Sequence, residues 1–234
     1  MARVAWKPSY RLVHSRFPPV GLFDQVADPA DLDAVFAIES LTNDRLRDEV
    51  GELVLVPLED RISGPGTTPI MAAFTHPNPE GSRFSNGDYG VYYAAASLET
   101  AIAETAYHRS RFLARTREPP SEYDMRCYQA DIDAELVELR RKKNRRPELY
   151  HPDNYGPAQA FGRKRRAEGA LGIVYDSVRH SGGQCVAIFK PRAVPRCVQT
   201  VHVCFVWDGE TIASYYVKSG YADVGPAGGT MSAP

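Results

Sequence analysis

Four apolar segments follow one another in the last third of the chain, and they constrain the fold more than any other feature. They read LGIVYDSVR, QCVAIFKP, CVQTVHVCFVW and ETIASYYV and begin at Leu171, Gln184, Cys197 and Glu210. The third alternates over 11 residues, which is the period of a strand with one buried face. HSGG and Asp208-Gly209 supply turn residues between neighbouring segments. The sequence therefore predicts a cluster of antiparallel strands after residue 170.

The earlier part of the chain mixes strand-like and helical patterns. Strands are predicted at residues 10–14 (YRLVH), 52–58 (ELVLVPL), 91–96 (VYYAAA) and within 119–139. Helices are predicted at residues 31–50, after a Ser97 cap, and at 156–169 between Pro157 and Gly169. No repeat or linker divides the chain, so we expect a single mixed α+β domain over residues 1–220. The small, polar tail at 221–234 is predicted to be disordered.

Composition excludes several functional classes. The 234 residues carry a net charge of −1, which disfavours general attraction to nucleic acids or membranes. No run approaches 18 apolar residues, and the first residues lack the apolar core of a signal peptide. The four cysteines form no CxxC pair, so we expect buried free thiols in a cytoplasmic protein, with no metal and no membrane association.

The common catalytic motifs are missing as well. The sequence contains no GxGxxG after a strand, no GxxxxGK[ST], no GxSxG and no HExxH. What remains is a set of scattered polar residues beside apolar strands: Arg11, Arg83, Tyr93, Glu104 and Ser177. Taken singly, a residue of each of these types more often has a structural role than a catalytic one. Such roles are an ion-paired arginine, a core tyrosine, a solvated helix glutamate and a hydroxyl at the end of a strand.

Taken together, these residues lie in three segments that resemble the RES domain family, named for its Arg, Glu and Ser. The segments are YRLVH, GSRFSNGDYGVYYAAASLETAIAE and GIVYDSVRHSGGQCVAIFKP. The resemblance covers roughly residues 9–195, and the regions 24–80 and 139–166 look like expansions. The sequence departs from the family at GSR, where the family has GGR.

The resemblance implies a fold similar to that of ADP-ribosyltransferase toxins, with NAD as the consumed substrate and no metal. Members of the family are toxins of bacterial toxin–antitoxin pairs, so it also implies an Xre-type antitoxin as partner. By position, Arg11 and Arg83 take the family's arginine roles, Tyr93 the aromatic role, Glu104 the acidic role and Ser177 the serine role. Ser181 flanks the same turn and is an alternative to Ser177.

These residue types suit the chemistry of NAD. Guanidinium groups bind a pyrophosphate through paired hydrogen bonds, and a tyrosine ring can stack on the cationic nicotinamide. Cleaving the glycosidic bond creates an oxocarbenium-like sugar, which a carboxylate such as that of Glu104 stabilises. Nicotinamide departs neutral, so no general acid is needed. Glu104 shares its helix face with Tyr107 and His108, to which no role is assigned.

The acceptor of ADP-ribose stays open among a protein target, water and phosphate. A non-catalytic module that binds a nucleotide or a partner on the same fold is the alternative function. The basic runs RRKKNRR (140–146) and GRKRR (162–166) have three interpretations: solvated surface, contact with an acidic protein or the antitoxin, and nucleic-acid binding. The last is disfavoured because no aromatic residues interleave with the charges.

Overall fold

Seven strands and three α-helices form the part of the chain that the structure, a computed structural model, describes: residues 1–15, 23–26, 28–32, 34 and 52–218. The strands are β1 Ala2–His14, β2 Tyr92–Ala95, β3 Ser121–Glu138, β4 Gly172–Asp176, β5 Gln184–Ile188, β6 Cys197–Trp207 and β7 Ile212–Lys218. The helices are α1 Thr68–Thr75, α2 Leu98–Leu113 and α3 Gly156–Ala167. The predicted mixed α+β class is confirmed.

The strands form one mixed sheet in the order β1-β2-β5-β4-β3-β6-β7, with an additional pairing between β1 and β3. That pairing closes the first five strands into a ring, and β6 and β7 extend from β3. The β4–β5 and β6–β7 pairs are antiparallel, as the sequence predicts. However, β3 separates the two pairs and meets β4 in parallel, at Val137↔Ile173 and Glu138↔Val174. The last four strands are therefore not one contiguous cluster.

Alternate residues of the inner strands face two separate apolar clusters. In β2, Tyr92 and Ala94 belong to one cluster, whereas Ala95 and the partly buried Tyr93 belong to the other. The same alternation runs through β4 and β5, as expected for strands that are buried on both faces. All four cysteines are buried and free. The two faces of β2 thus separate the main core from the side on which Tyr93 lies.

Helix α2 begins as predicted. The Ser97 hydroxyl accepts the Thr100 N–H at 3.3 Å, and Ala101 and Ile102 are buried beneath the helix. Helix α3 has Pro157 in its first turn, and Gly169 follows it with a φ of +84°. Gly162 lets α3 approach the loop before β2 closely, since a Cβ there would lie 2.3 Å from the Phe84 carbonyl oxygen.

Helix α1 is capped by a residue from far along the chain. Asp24 Oδ1 accepts hydrogen bonds from the Thr67 N–H, the Thr68 N–H and the Thr68 hydroxyl at 2.7–3.0 Å. Its Oδ2 accepts the Gly66 N–H at 3.1 Å. Burial acts to raise the pKa of Asp24, but the hydrogen bonds from Thr68, Gly66 and Thr67 outweigh it and lower the pKa below its usual value.

One predicted element is wrong, and two others are left untested. The predicted strand at 52–58 is a 3-10 helix, Leu53–Leu55, followed by a second one at Leu58–Asp60. The predicted helix at 31–50 lies almost wholly outside the described residues, and so does the tail at 221–234. Within the described residues, no helix is both long and apolar enough to cross a membrane.

Candidate active site

A cleft of about 710 Å³ opens between β1, β2, α2 and the loops that precede β2 and α3. Its size is typical of small-molecule sites. Its lining includes four of the five residues that the sequence singles out: Arg11, Arg83, Tyr93 and Glu104. Ser177 is held behind Glu104 by a hydrogen bond. The five residues, scattered from β1 to the end of β4, are therefore brought to one place.

Arg11 is a partly buried residue of β1, and its guanidinium is enclosed in the wall of the cleft. Its Nη1 donates to the Tyr93 carbonyl oxygen at 3.0 Å, and its guanidinium lies 4.9 Å from the centre of the Tyr92 ring. Its Nε has no hydrogen-bond partner, and no described carboxylate pairs with it. Burial lowers the pKa of Arg11, since no nearby anion compensates for lost hydration. A guanidinium in this state has hydrogen-bonding capacity left for an anion.

Arg83 is the second buried cation of the cleft, with 7% of its surface exposed. Its Nη1 donates to the carbonyl oxygens of Leu149 at 3.2 Å and His151 at 3.0 Å. Its guanidinium also lies 4.7 Å from the centre of the Tyr155 ring. Carbonyl dipoles and an aromatic face position the group without neutralising it, and no described carboxylate forms an ion pair with it. Arg11 and Arg83 together leave two uncompensated positive charges in the cleft wall.

Tyr93 holds the loop that carries Arg83. Its hydroxyl accepts the Phe84 N–H at 3.0 Å and lies 2.9 Å from Ser82 Oγ. Burial raises the pKa of Tyr93, so the phenol stays protonated at neutral pH. The side chain thus spans from β2 to the loop and fixes its position. A stacking role for its ring, which also lines the cleft, stays a prediction.

Glu104 and Ser177 form an oriented pair. Ser177 Oγ accepts the N–H groups of Arg179 at 3.1 Å and His180 at 2.9 Å, so its own proton points to Glu104 Oε1, 2.6 Å away. The Val178 N–H donates to the same oxygen at 3.2 Å. No hydrogen bond from the described residues reaches Glu104 Oε2. One carboxylate oxygen is anchored, and the other is left for a ligand.

The alternative serine has a different position. Ser181 lies exposed on the turn between β4 and β5, and no hydrogen bond from its hydroxyl joins it to Glu104 or to any other described residue. Of the two serines that the sequence leaves open, Ser177 is the one in contact with the carboxylate.

Two cleft residues were given no role by the sequence. His108 follows Glu104 by one turn of α2. Tyr155 lies between His108 and Arg83, and the centres of the His108 and Tyr155 rings are 6.4 Å apart. Desolvation by the cleft wall lowers the pKa of His108, which keeps the imidazole neutral at pH 7. The spacing of residues along α2 predicts that His108 shares a helix face with Glu104. Tyr155 lies in a loop, where no periodic sequence pattern indicates that it lines the cleft.

The fold is that of a mixed α+β protein, and the wall of its cleft holds two arginines without a carboxylate partner among the described residues. The RES domain profile matches residues 59–208, and the chain therefore belongs to the RES domain family. Uncharacterised protein y4oC of Sinorhizobium fredii strain NGR234 is 30% identical over 208 residues, which are 88% of this chain and 86% of that protein. Among solved structures, the M. tuberculosis MbcT–MbcA toxin–antitoxin complex contains a similar chain. The two share 12% identity with a TM-score of 0.43 over 85% of this chain and 86% of that one.

Proposed function

We propose that this protein is the toxin of a bacterial toxin–antitoxin pair and that it cleaves the nicotinamide–ribose bond of NAD. It then transfers ADP-ribose to a protein, water or phosphate. Loss of NAD or modification of a target arrests growth until an Xre-type antitoxin neutralises the toxin in the cytoplasm. The toxin role and the antitoxin partner rest on membership of the RES domain family.

The observation that carries the chemical part is the charge arrangement of the cleft. Two buried guanidiniums, Arg11 and Arg83, have no carboxylate partner among the described residues, while Glu104 offers an unbonded oxygen on the same cleft. Uncompensated buried cations are costly unless an anion joins them. A pyrophosphate supplies that anion, and a ribose with a developing positive charge suits the free carboxylate oxygen.

In the proposed reaction the bond between C1′ of the ribose and the nicotinamide nitrogen breaks. The electron pair leaves with nicotinamide, which becomes neutral, and Glu104 Oε2 stabilises the positive charge on the sugar. An acceptor oxygen or nitrogen then bonds to C1′ and releases its proton to solvent or to a base of the cleft. Ser177 keeps the carboxylate in position through Oε1.

The first test is release of nicotinamide from NAD by the purified, antitoxin-free chain, followed by chromatography. Arg11→Gln removes a guanidinium that we assign to the pyrophosphate, so its KM for NAD should rise at least tenfold. Arg3→Gln is the matched control, because Arg3 is an exposed β1 arginine paired with Asp133, and it should behave as wild type. Equal effects of the two changes would contradict the role of Arg11.

Labelled NAD distinguishes the acceptors. Label in free ADP-ribose indicates water, label in its phosphate ester indicates phosphate, and label in a protein band after addition of lysate indicates a protein. If the wild-type chain releases no nicotinamide with any of these acceptors, the enzymatic proposal is wrong. Saturable binding of NAD without turnover would then favour the non-catalytic nucleotide-binding module.

A further inference from the structure

Two basic runs that are far apart in sequence meet on one surface. Arg146 ends the loop after β3 and Arg165 lies in the last turn of α3, yet both guanidiniums lie 5.3 Å from the centre of the Phe161 ring. The ring joins the loop to the helix. We call the resulting patch the basic surface and define it by the cations of the loop and by Lys164, which follows Phe161 by about one turn of α3: Arg141, Lys142, Lys143, Arg145 and Lys164.

The charges of the basic surface are neutralised locally only in part. Three neighbouring carboxylates are already paired with other arginines: Glu138 with Arg140, Glu148 with Arg146 and Glu168 with Arg165. A fourth, Asp176, accepts the Arg141 N–H. No ion pair joins any of the five defining side chains to a described carboxylate, and four of the five residues are exposed. With Asp176 counted, the patch therefore carries about four surplus positive charges on a chain whose net charge is −1.

The loop that presents these charges has a fixed conformation. Arg141 adopts a φ of +59°, the left-handed region that favours glycine, and its N–H donates to Asp176 Oδ2 at 2.5 Å. The N–H groups of Arg145 and Arg146 both donate to the Lys142 carbonyl oxygen, at 2.9 and 2.8 Å. A basic side chain is thus kept at a position where its backbone is strained, and the charges are arranged before any partner binds.

The surface favours carboxylates over nucleic acid. Single-stranded nucleic acids bind where aromatic rings offer stacking platforms beside the cations. Here Phe161 is occupied by the guanidiniums of Arg146 and Arg165. The rest of the chain carries net negative charge, which repels a long polyanion but not a short acidic segment confined to the patch. Helix α3 connects the patch to the cleft, since Gly156 and Gln159 of its first turns line the cleft.

We propose that the basic surface docks an acidic segment of a partner protein. Aspartate and glutamate side chains of that segment pair with the cations of the loop and of α3. Because α3 is about 18 Å long, a segment held at its far end lies within a few residues of the cleft mouth. This inference concerns binding alone and does not require the NAD chemistry to be correct.

Fluorescence anisotropy of a labelled octaglutamate peptide at low salt tests the surface. The double variant Arg145→Gln/Lys164→Gln should bind about tenfold more weakly than wild type, and wild-type binding should weaken as salt is added. The matched control is Arg117→Gln/Arg196→Gln, two exposed arginines outside the patch and outside any ion pair of the described residues, and it should lose less than twofold. A labelled octauridylate is measured in parallel.

Three results would overturn the proposal: no binding of octaglutamate by wild type, equal losses in the two double variants, or octauridylate bound as tightly as octaglutamate. Far-UV circular dichroism and nicotinamide release should be unchanged in the surface variant. If Arg145→Gln/Lys164→Gln fails to fold, Lys142→Gln/Lys143→Gln removes the same charge from the loop and is judged by the same criteria. Loss of nicotinamide release in the wild type would count against the proposed enzyme, not against the docking surface.

Discussion

Two carboxylates of this molecule are held by hydrogen bonds in different ways. Asp24, at the start of α1, accepts four, and both of its oxygens are used. Glu104, in the cleft, accepts three on Oε1, from the Ser177 hydroxyl, the Val178 N–H and the Cys185 thiol, and Oε2 receives none from the described residues. A carboxylate whose oxygens are all satisfied stabilises the fold. One that is anchored by a single oxygen keeps the other for a ligand. We therefore expect Asp24 to govern stability and Glu104 to govern activity.

The largest expected effect is on catalysis. Glu104→Gln keeps the shape of the side chain but removes the negative charge that faces the sugar, so kcat for nicotinamide release should fall about 10²–10³-fold. The free energy of unfolding should change by less than about 1 kcal/mol, because the amide oxygen still accepts from Ser177. Glu99→Gln, on an exposed position of the same helix, is the control and should keep wild-type activity.

The opposite outcome is expected at Asp24. Asp24→Asn places an amide against backbone N–H donors at the start of α1 and should lower the free energy of unfolding by about 2 kcal/mol. Urea denaturation measures this loss, and kcat per folded molecule should be unchanged. Asp28→Asn is the control, since Asp28 is exposed and its carboxylate accepts one N–H, that of Ala30. A larger effect at Asp28 than at Asp24 would contradict the comparison.

A smaller effect is expected from the residue that anchors Glu104. Ser177→Ala leaves the Val178 N–H at 3.2 Å and the weak Cys185 thiol at 4.0 Å as donors to Oε1, so the carboxylate is held less firmly and kcat should fall about tenfold. KM for NAD should change little, because Ser177 is not assigned to the pyrophosphate. Ser177→Thr restores a hydroxyl and should recover part of the rate. Ser181→Ala should match wild type, and a defect there equal to that of Ser177→Ala would reverse the assignment.

The smallest effect is a pH dependence of stability. Because the folded-state pKa of Asp24 lies below its unfolded value of about 3.9, its contribution is complete above that pH and is lost as the pH falls through the folded-state pKa. The difference in unfolding free energy between wild type and Asp24→Asn should therefore shrink below about pH 4. A difference that stays constant to pH 2 would mean that Asp24 acts through packing alone.

Local sequence patterns predicted most of the strands and helices, because strand alternation and helix caps depend on neighbouring residues. The predictions failed where a structure depends on contacts between residues that are distant along the chain. The apolar run at 52–58 is too short to distinguish a strand from a helical turn, and the structure makes it a 3-10 helix. The parallel contact of β4 with β3 depends on which strand lies beside which, and no local pattern encodes that.

The candidate site was likewise predicted only in part. Family motifs predicted five residues, and the structure brings all five together, but the motifs gave no sign of how Arg83 is held. Its partners are the carbonyl oxygens of Leu149 and His151, and every residue type has such an oxygen. Asp24 was missed as a cap for a related reason, since it precedes α1 by more than 40 residues.

The closed ring of strands has a consequence for synthesis of the protein. β1, which carries Arg11, emerges first, but its partner β3 ends at Glu138, and β5 completes the ring only at Ile188. Contacts so distant along the chain form late. A nascent or truncated chain that stops before Ile188 holds Arg11, Arg83 and Glu104 without the strand that closes the ring beside β2. We therefore expect a complete cleft only in nearly full-length chains.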